Sequence, residues 1–313
     1  MTEIPVISGA AVFRAIDPKS AIDCTWAAFE RYGRGEWEMP AKVYLDSPPY
    51  GDFRAMPARG DGLALLKWVT SFPGNSAKGL PVVRGEVLLS DAETGEELAV
   101  IECSSVTSLR TGAAAAVSAK ALAAENAKSV GIIGCGVNGA WSARCLVAAG
   151  YGPGVCADVR AEVAEALAAE LGWRAGDRAE AAAQDVVATV TPGEEPVILA
   201  RDLRPGQHFA VLGADAHGKQ EVELGAIGRC RLFCDEWEQA SAGGELANAV
   251  EAGLVSREDV TQLGDVVDDD LERGEEEITL FDSTGLAIQD LAICRAVYER
   301  WREGELEAPL VTL

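Results

Sequence analysis

Three glycines in the segment Gly134-Cys135-Gly136-Val137-Asn138-Gly139 are spaced as G-x-G-x-x-G. The segment follows an apolar run, residues 130–133, and precedes a helical pattern, which is the context a dinucleotide-binding fingerprint needs. The first glycine permits a tight turn, the second lets backbone approach a pyrophosphate, and the third lets helix pack on strand. The N–H groups of Val137, Asn138 and their neighbours at the helix start supply positive potential to the phosphates. Asp158 stands 19 residues beyond Gly139, at the end of the next apolar run. A carboxylate there binds both hydroxyls of an adenosine ribose and repels a 2′-phosphate, favouring NAD over NADP. Arg160, two residues on, leaves NADP open. The chemistry implied is hydride transfer to or from a nicotinamide.

A second set of residues carries charge inside apolar surroundings. These are Lys42 in MPAKVYL, Arg54 in FRAMP, Lys67 in LALLKWV, Arg110 in TSLRTG and Asp215 in VLGADAHGK. Burying such groups is costly unless they pair or act. Four cations and one carboxylate in an otherwise acidic chain suggest a site for a small anion. Each of Lys42, Arg54 and Arg110 taken alone also fits a surface residue or a structural ion pair. Lys67 is the strongest candidate, because Ala64, Leu65, Leu66, Trp68 and Val69 surround it in sequence.

The elements that must position these groups fall into two grammars. Short β-like runs occupy residues 43–46, 53–58, 64–69 and 85–91, and residues 88–103 read as a hairpin turning at Thr94-Gly95. Helical spacing covers 21–32, and an Ala-rich stretch predicts a helix over 111–127. Strand and helix then alternate: strands at 129–136, 154–159, 185–191, 208–215 and 229–235, helices at 138–150 and 160–172. That alternation predicts βαβ units and a parallel, doubly wound sheet, an α/β fold. A last helix is expected over 286–301.

With 313 residues, 48% of them apolar, the chain can bury a large core without staples. Fifty acids against 27 bases give a net charge of −23, which disfavours nucleic acid and anionic membranes as partners. Only 7 of the bases are Lys, a bias that fits either high-salt adaptation or GC-rich coding. No apolar run nears the ~20 residues of a membrane span. The N-terminus lacks a basic leader, so a cytoplasmic protein is expected. The eight cysteines form no C-x-x-C, and only His208 and His217 accompany them, so reduced thiols and no metal site are expected.

The segments MPAKVYL, RAMPA, KWVTSFPGN, LSDAETGEELAV, SLRTGAAAA, GIIGCGVNG, GADAHGKQE and FDSTGLAIQD occur in the order seen in the ornithine cyclodeaminase/mu-crystallin family. The resemblance covers about residues 36 to 300. It implies a homodimer whose subunit has a Rossmann domain for NAD(P), residues 121–285, and a smaller α+β dimerisation and substrate domain, residues 1–120 and 286–313. It puts Lys42, Lys67 and Arg110 on the family's basic site residues and Asp215 on its catalytic aspartate, with Thr111 beside the cofactor. Arg54 and Arg110 would clamp a carboxylate. Lys67 would move protons, with nearby cations favouring its neutral form, and Asp215 would orient an ammonium or a water. Cyclodeaminases resemble E-L-M-P where this chain has Arg54, two residues before Met56-Pro57. A cation there would repel ornithine's distal ammonium. GADAHGKQE and FDSTGLAIQD are more similar to the alanine dehydrogenase and imine reductase branch. The expected reaction interconverts a small L-amino acid with its 2-oxo or imino acid using NAD(H). A cyclodeaminase, an NADPH-dependent ketimine reductase and a mu-crystallin-like binding protein are the alternatives. His217 stands where the family often has Pro and is given no role.

Overall fold

Alternation at period two makes the strands Gly51–Gly60 and Leu63–Ser71 one-faced. The computed structural model describes residues 3–193, 195–216, 218–269 and 271–312, with Ser76 described by its backbone alone. Six strands, β1 (Glu3–Ile7), β2 (Val43–Ser47), β3 (Gly51–Gly60), β4 (Leu63–Ser71), β5 (Val83–Asp91) and β6 (Glu97–Glu102), join the last strand, Leu310–Thr312. The sheet order is Leu310–Thr312, β1, β6, β5, β4, β3, β2. Only β1 and β6 run parallel; the other neighbours are antiparallel. In β4, Leu65, Lys67 and Val69 are buried on one face, while Leu66 and Trp68 on the other are exposed. Arg54, Met56 and Ala58 of β3 are buried likewise. The helix Ala287–Arg302 packs on β3 and β4, and beside it lies α1 (Pro18–Gly33). Asp17 starts α1, accepting from the Ser20 N–H at 2.7 Å ahead of Pro18. The β5–β6 hairpin turns where expected: Asp91 accepts from the N–H groups of Glu93 and Thr94, and Gly95 takes φ +74°.

The second sheet has eight strands: β7 (Val130–Ile133), β8 (Gly154–Ala157), β9 (Arg174–Ala175), β10 (Val186–Thr189), β11 (His208–Val211), β12 (Arg231–Cys234), β13 (Val260–Gln262) and β14 (Thr279–Asp282). Its order is β9-β8-β7-β10-β11-β14-β12-β13, and all pairs are parallel. VGII, GVCA, VVAT, HFAV and TLFD are buried at every residue, as strands covered on both faces must be. This is the doubly wound α/β sheet, with its chain reversal between β7 and β10.

Several elements depart from expectation. β14 inserts between β11 and β12; four residues behind the acidic run Glu275–Glu277 carry too little pattern to announce a central strand. The strand β1, between Leu310–Thr312 and β6, and the edge strands β9 and β13 are likewise too short or too ordinary to read. The Ala-rich helix runs Cys103–Leu122 rather than 111–127. Glu102 accepts from the N–H groups of Ser104 and Ser105 at its start, and Thr107 and Ser108 donate to carbonyls one turn back. A Ser/Thr run that looks like loop is thereby absorbed into helix. The chain divides into two compact units, one ending at Arg110 and resuming at Leu286, the other Thr111–Gly285. The first boundary falls inside this continuous helix, ten residues before position 120, so no linker marks it. No helix among the described residues is long and apolar enough to cross a membrane.

Candidate active site

In the eight-stranded unit, the glycine loop has the geometry its spacing implies. Gly134 has φ +92°, a conformation open to glycine. A Cβ on Gly139 would lie 1.8 Å from the Gly134 carbonyl oxygen, so the helix Val137–Ala148 packs directly on the loop. A Cβ on Gly136 would meet nothing within 4 Å, and Gly136 starts that helix without a side-chain cap. Open space and uncapped N–H groups are what a pyrophosphate requires. Val137 is exposed at the first helical position and Asn138 is half-buried. Asp158, its side chain 7% exposed, accepts from the Cys135 N–H at 2.8 Å and from the Arg160 N–H at 2.9 Å. It thus braces the glycine loop, while the exposed Arg160 guanidinium approaches it at 3.5 Å. The Thr111 hydroxyl is buried without a hydrogen-bond partner among the described residues. These residues fit a dinucleotide.

Further along, the ends of β10 and β11 are tied by Glu221, a fully buried residue that sequence reasoning missed. Its carboxyl accepts from Thr191 N–H (2.6 Å), Thr191 Oγ1 (2.7 Å), Thr189 Oγ1 (2.9 Å) and Gly213 N–H (2.7 Å). Burial pushes its pKa up although these donors oppose the shift. Glu245 accepts from the N–H groups of Glu221 and Val222, and burial raises it to about 9. Burial and the neighbouring Asp235 likewise raise Asp282. Glu221 ends the segment GADAHGKQE and Asp282 lies in FDSTGLAIQD, but nothing in either segment marks the acid as buried. Asp215 lies half-buried in the loop after β11 and pairs with Lys219. His217 lies outside the described residues.

The other unit holds a compact charged cluster. Lys67 Nζ donates to Asp290 Oδ1 at 2.8 Å, with side-chain exposures of 1% and 0%. Arg110 Nε lies 3.5 Å from the same oxygen. Arg110 Nε and Asp290 Oδ2 are buried without hydrogen-bond partners among the described residues. Strand β4, the helix Cys103–Leu122 and the helix Ala287–Arg302 each contribute one of the three. Two expectations change here. The charge nearest Lys67 is a carboxylate, not a cation, because the C-terminal helix returns to cover β4. Arg54 gives its Nε and Nη2 to Asp52, at 2.6 and 3.2 Å, and sits over the Tyr44 ring. The guanidinium edge expected to clamp a substrate carboxylate is therefore engaged by Asp52. Lys42 stands half-buried just ahead of β2. Lys67 and Arg110 are brought together, and Arg54 lies on the same buried face of the sheet, paired with Val69 where Met56 pairs with Lys67. Asp290 was missed, though an acid inside LAIQDLAIC is a legible signal.

Over residues 6–305 the sequence matches the ornithine cyclodeaminase/mu-crystallin family. The chain belongs to that family. The alanine dehydrogenase of Archaeoglobus fulgidus is 40% identical over 306 residues, 95% of each chain. An archaeal alanine dehydrogenase dimer with bound NAD superposes with a TM-score of 0.95, at 38% identity and full coverage of both chains. The iminosuccinate reductase of Paracoccus denitrificans in complex with NAD+ has a TM-score of 0.90 at 28% identity, again over all of both chains. Within the ornithine cyclodeaminase/mu-crystallin family, these relatives sit on the dehydrogenase and imine reductase side.

Proposed function

We propose that this protein is an NAD(H)-dependent oxidoreductase that interconverts a small L-amino acid with its 2-oxo or imino acid. The observation that carries the reading is a buried Lys67–Asp290–Arg110 cluster in a chain whose other unit holds an open glycine loop closed by Asp158. NAD(H), held by Gly134, Gly136, Gly139 and Asp158, would supply the hydride chemistry at the substrate α-carbon. Arg110 holds the carboxylate through its free guanidinium edge, fixing the pose. Lys67 delivers and removes the proton at the substrate's nitrogen or carbonyl oxygen, its two remaining N–H donors serving that end. Asp215 orients the ammonium or the attacking water, and Thr111 supplies a hydroxyl to the cofactor.

The same reading includes a homodimer. The outer face and edge of the seven-stranded sheet expose Val43, Leu45, Tyr50, Leu66 and Trp68, an apolar surface suited to a second copy. Eight free cysteines suit a reducing, cytoplasmic setting.

Ornithine cyclodeamination is the competing reading, and one observation bears on it. Asp52 offsets the charge of Arg54, so the repulsion of a distal ammonium is weaker than Arg54 alone implies. The test is NADH oxidation with pyruvate, oxaloacetate and cyclic ketimines, each with ammonia, methylamine or no amine, beside ammonia release from ornithine. Net NADH oxidation with a small 2-oxo or imino acid is expected. Ammonia release from ornithine without NADH accumulation would replace the proposal with a cyclodeaminase.

A further inference from the structure

We infer that Asp290 is a positioning residue, whose buried carboxylate holds the Lys67 amine and the Arg110 guanidinium as one preorganised receptor for a single substrate carboxylate and the adjoining reactive centre. The inference rests on the function proposed above and assigns a role to Asp290, the last residue of the FDSTGLAIQD segment.

Three observations support it. Asp290 Oδ1 is shared, 2.8 Å from Lys67 Nζ and 3.5 Å from Arg110 Nε, so one oxygen sets the separation of the two cations. Two cations and one carboxylate leave the cluster with one positive charge, which one substrate carboxylate neutralises. A cluster without Asp290 would be doubly charged and suited to a dianion. Asp290 also lies in the first turn of the helix Ala287–Arg302, so the start of that helix fixes the carboxylate's place beside Lys67.

A purely structural account explains less. A buried ion pair is poor value for stability, since apolar residues of similar volume usually serve as well or better. What the pair provides is order: a lysine stem is flexible, and a carboxylate at its tip selects one pose. Two thiols also feel Lys67 and Asp290, Cys103 at the start of its helix and Cys294 one turn beyond Asp290, while Arg54, one residue pair along the same buried face, is paired with Asp52. Burial pushes both thiols up, so they stay protonated and leave Asp290 as the counter-charge.

The test uses the full-length protein carrying Asp290→Asn, which keeps the shape and removes the charge. With lysine labelled at 13Cε, the Lys67 signal is identified by its loss in Lys67→Arg and followed against pH without substrate. Its titration midpoint is expected to fall by about one pH unit or more in Asp290→Asn, since a buried ammonium without a counter-charge is disfavoured. In turnover, kcat is expected to fall at least about tenfold, while the KM for NADH stays within about twofold and the basic limb of the pH–rate profile moves down. Asp290→Glu, which restores the charge, is expected to return the midpoint to within about half a pH unit of wild type and recover part of kcat. A structural residue would lower Tm and leave both the midpoint and the pH limb in place; that result overturns the inference. A Glu variant as impaired as the Asn variant overturns it too, including when Asp290→Asn does not fold. If no 2-oxo or imino acid is turned over by wild type, the proposed reaction fails while the NMR titration still decides the role of Asp290.

Discussion

Replacing either of two glycines in one turn of the nucleotide loop by alanine should give opposite results. At Gly136 an added methyl meets no protein atom within 4 Å, and the backbone φ of −63° is one that alanine adopts freely. Gly136→Ala should therefore leave stability within about 1 kcal/mol of wild type, with a small gain from the stiffer unfolded chain. The methyl does occupy the space through which a pyrophosphate must approach the helix N-terminus. Loss of one close phosphate contact of about 1.4 kcal/mol or more weakens NADH by at least about tenfold. At Gly139 the added carbon would lie 1.8 Å from the Gly134 oxygen, far inside van der Waals contact, and both partners are backbone. Relief requires the helix to move off the loop, at the ~1–3 kcal/mol typical of overpacking or more. For a chain of this size, that is a Tm loss of roughly 2–4 °C per kcal/mol. Thermal unfolding without ligand and NADH fluorescence titration separate the two effects. Unchanged NADH affinity in Gly136→Ala, or unchanged Tm in Gly139→Ala, would refute the assignment of this loop.

Lys67→Met should lower kcat by about 100-fold or more, in the range of acid–base contributions, with NADH binding intact; wild-type turnover would remove Lys67 from the reaction. Asp158→Ala should weaken NADH more than NADPH, and an unaltered ratio of the two dissociation constants would show that Asp158 braces the loop without selecting the cofactor. His208 is fully buried between Ser118 and Thr279, and burial lowers its pKa from 6.5 to about 3. The folded state thus binds fewer protons than the unfolded state between those values, so its contribution to stability is present above pH 6.5 and lost as pH falls toward 3. Urea unfolding of wild type and His208→Leu at pH 7, 5.5 and 4.5 should show a shallower acid decline in the variant; parallel declines would disprove it.

The glycine loop was legible because its constraints are local. Turn, helix start and acid-ended strand lie within 25 residues, and each glycine answers to its neighbours in sequence. Hairpin and helix signals read well for the same reason, as Asp91 and Asp17 satisfy N–H groups two or three residues away. Lys67 and Arg110 stood out as charges in apolar runs, but their counter-charge did not, since Asp290 is 223 residues from Lys67. Only the return of the C-terminal helix over β4 decides that the amine meets a carboxylate. Likewise, Arg54 reads as a free cation until the pleat puts it beside Asp52 on the same strand. The insertion of β14 into the parallel sheet, and the burial of Glu221, Glu245 and Asp282 at its strand ends, are matters of topology. Periodicity tells which face of an element turns inward; which partner waits there is set by long-range packing, and the free energy of a buried charge depends on that partner.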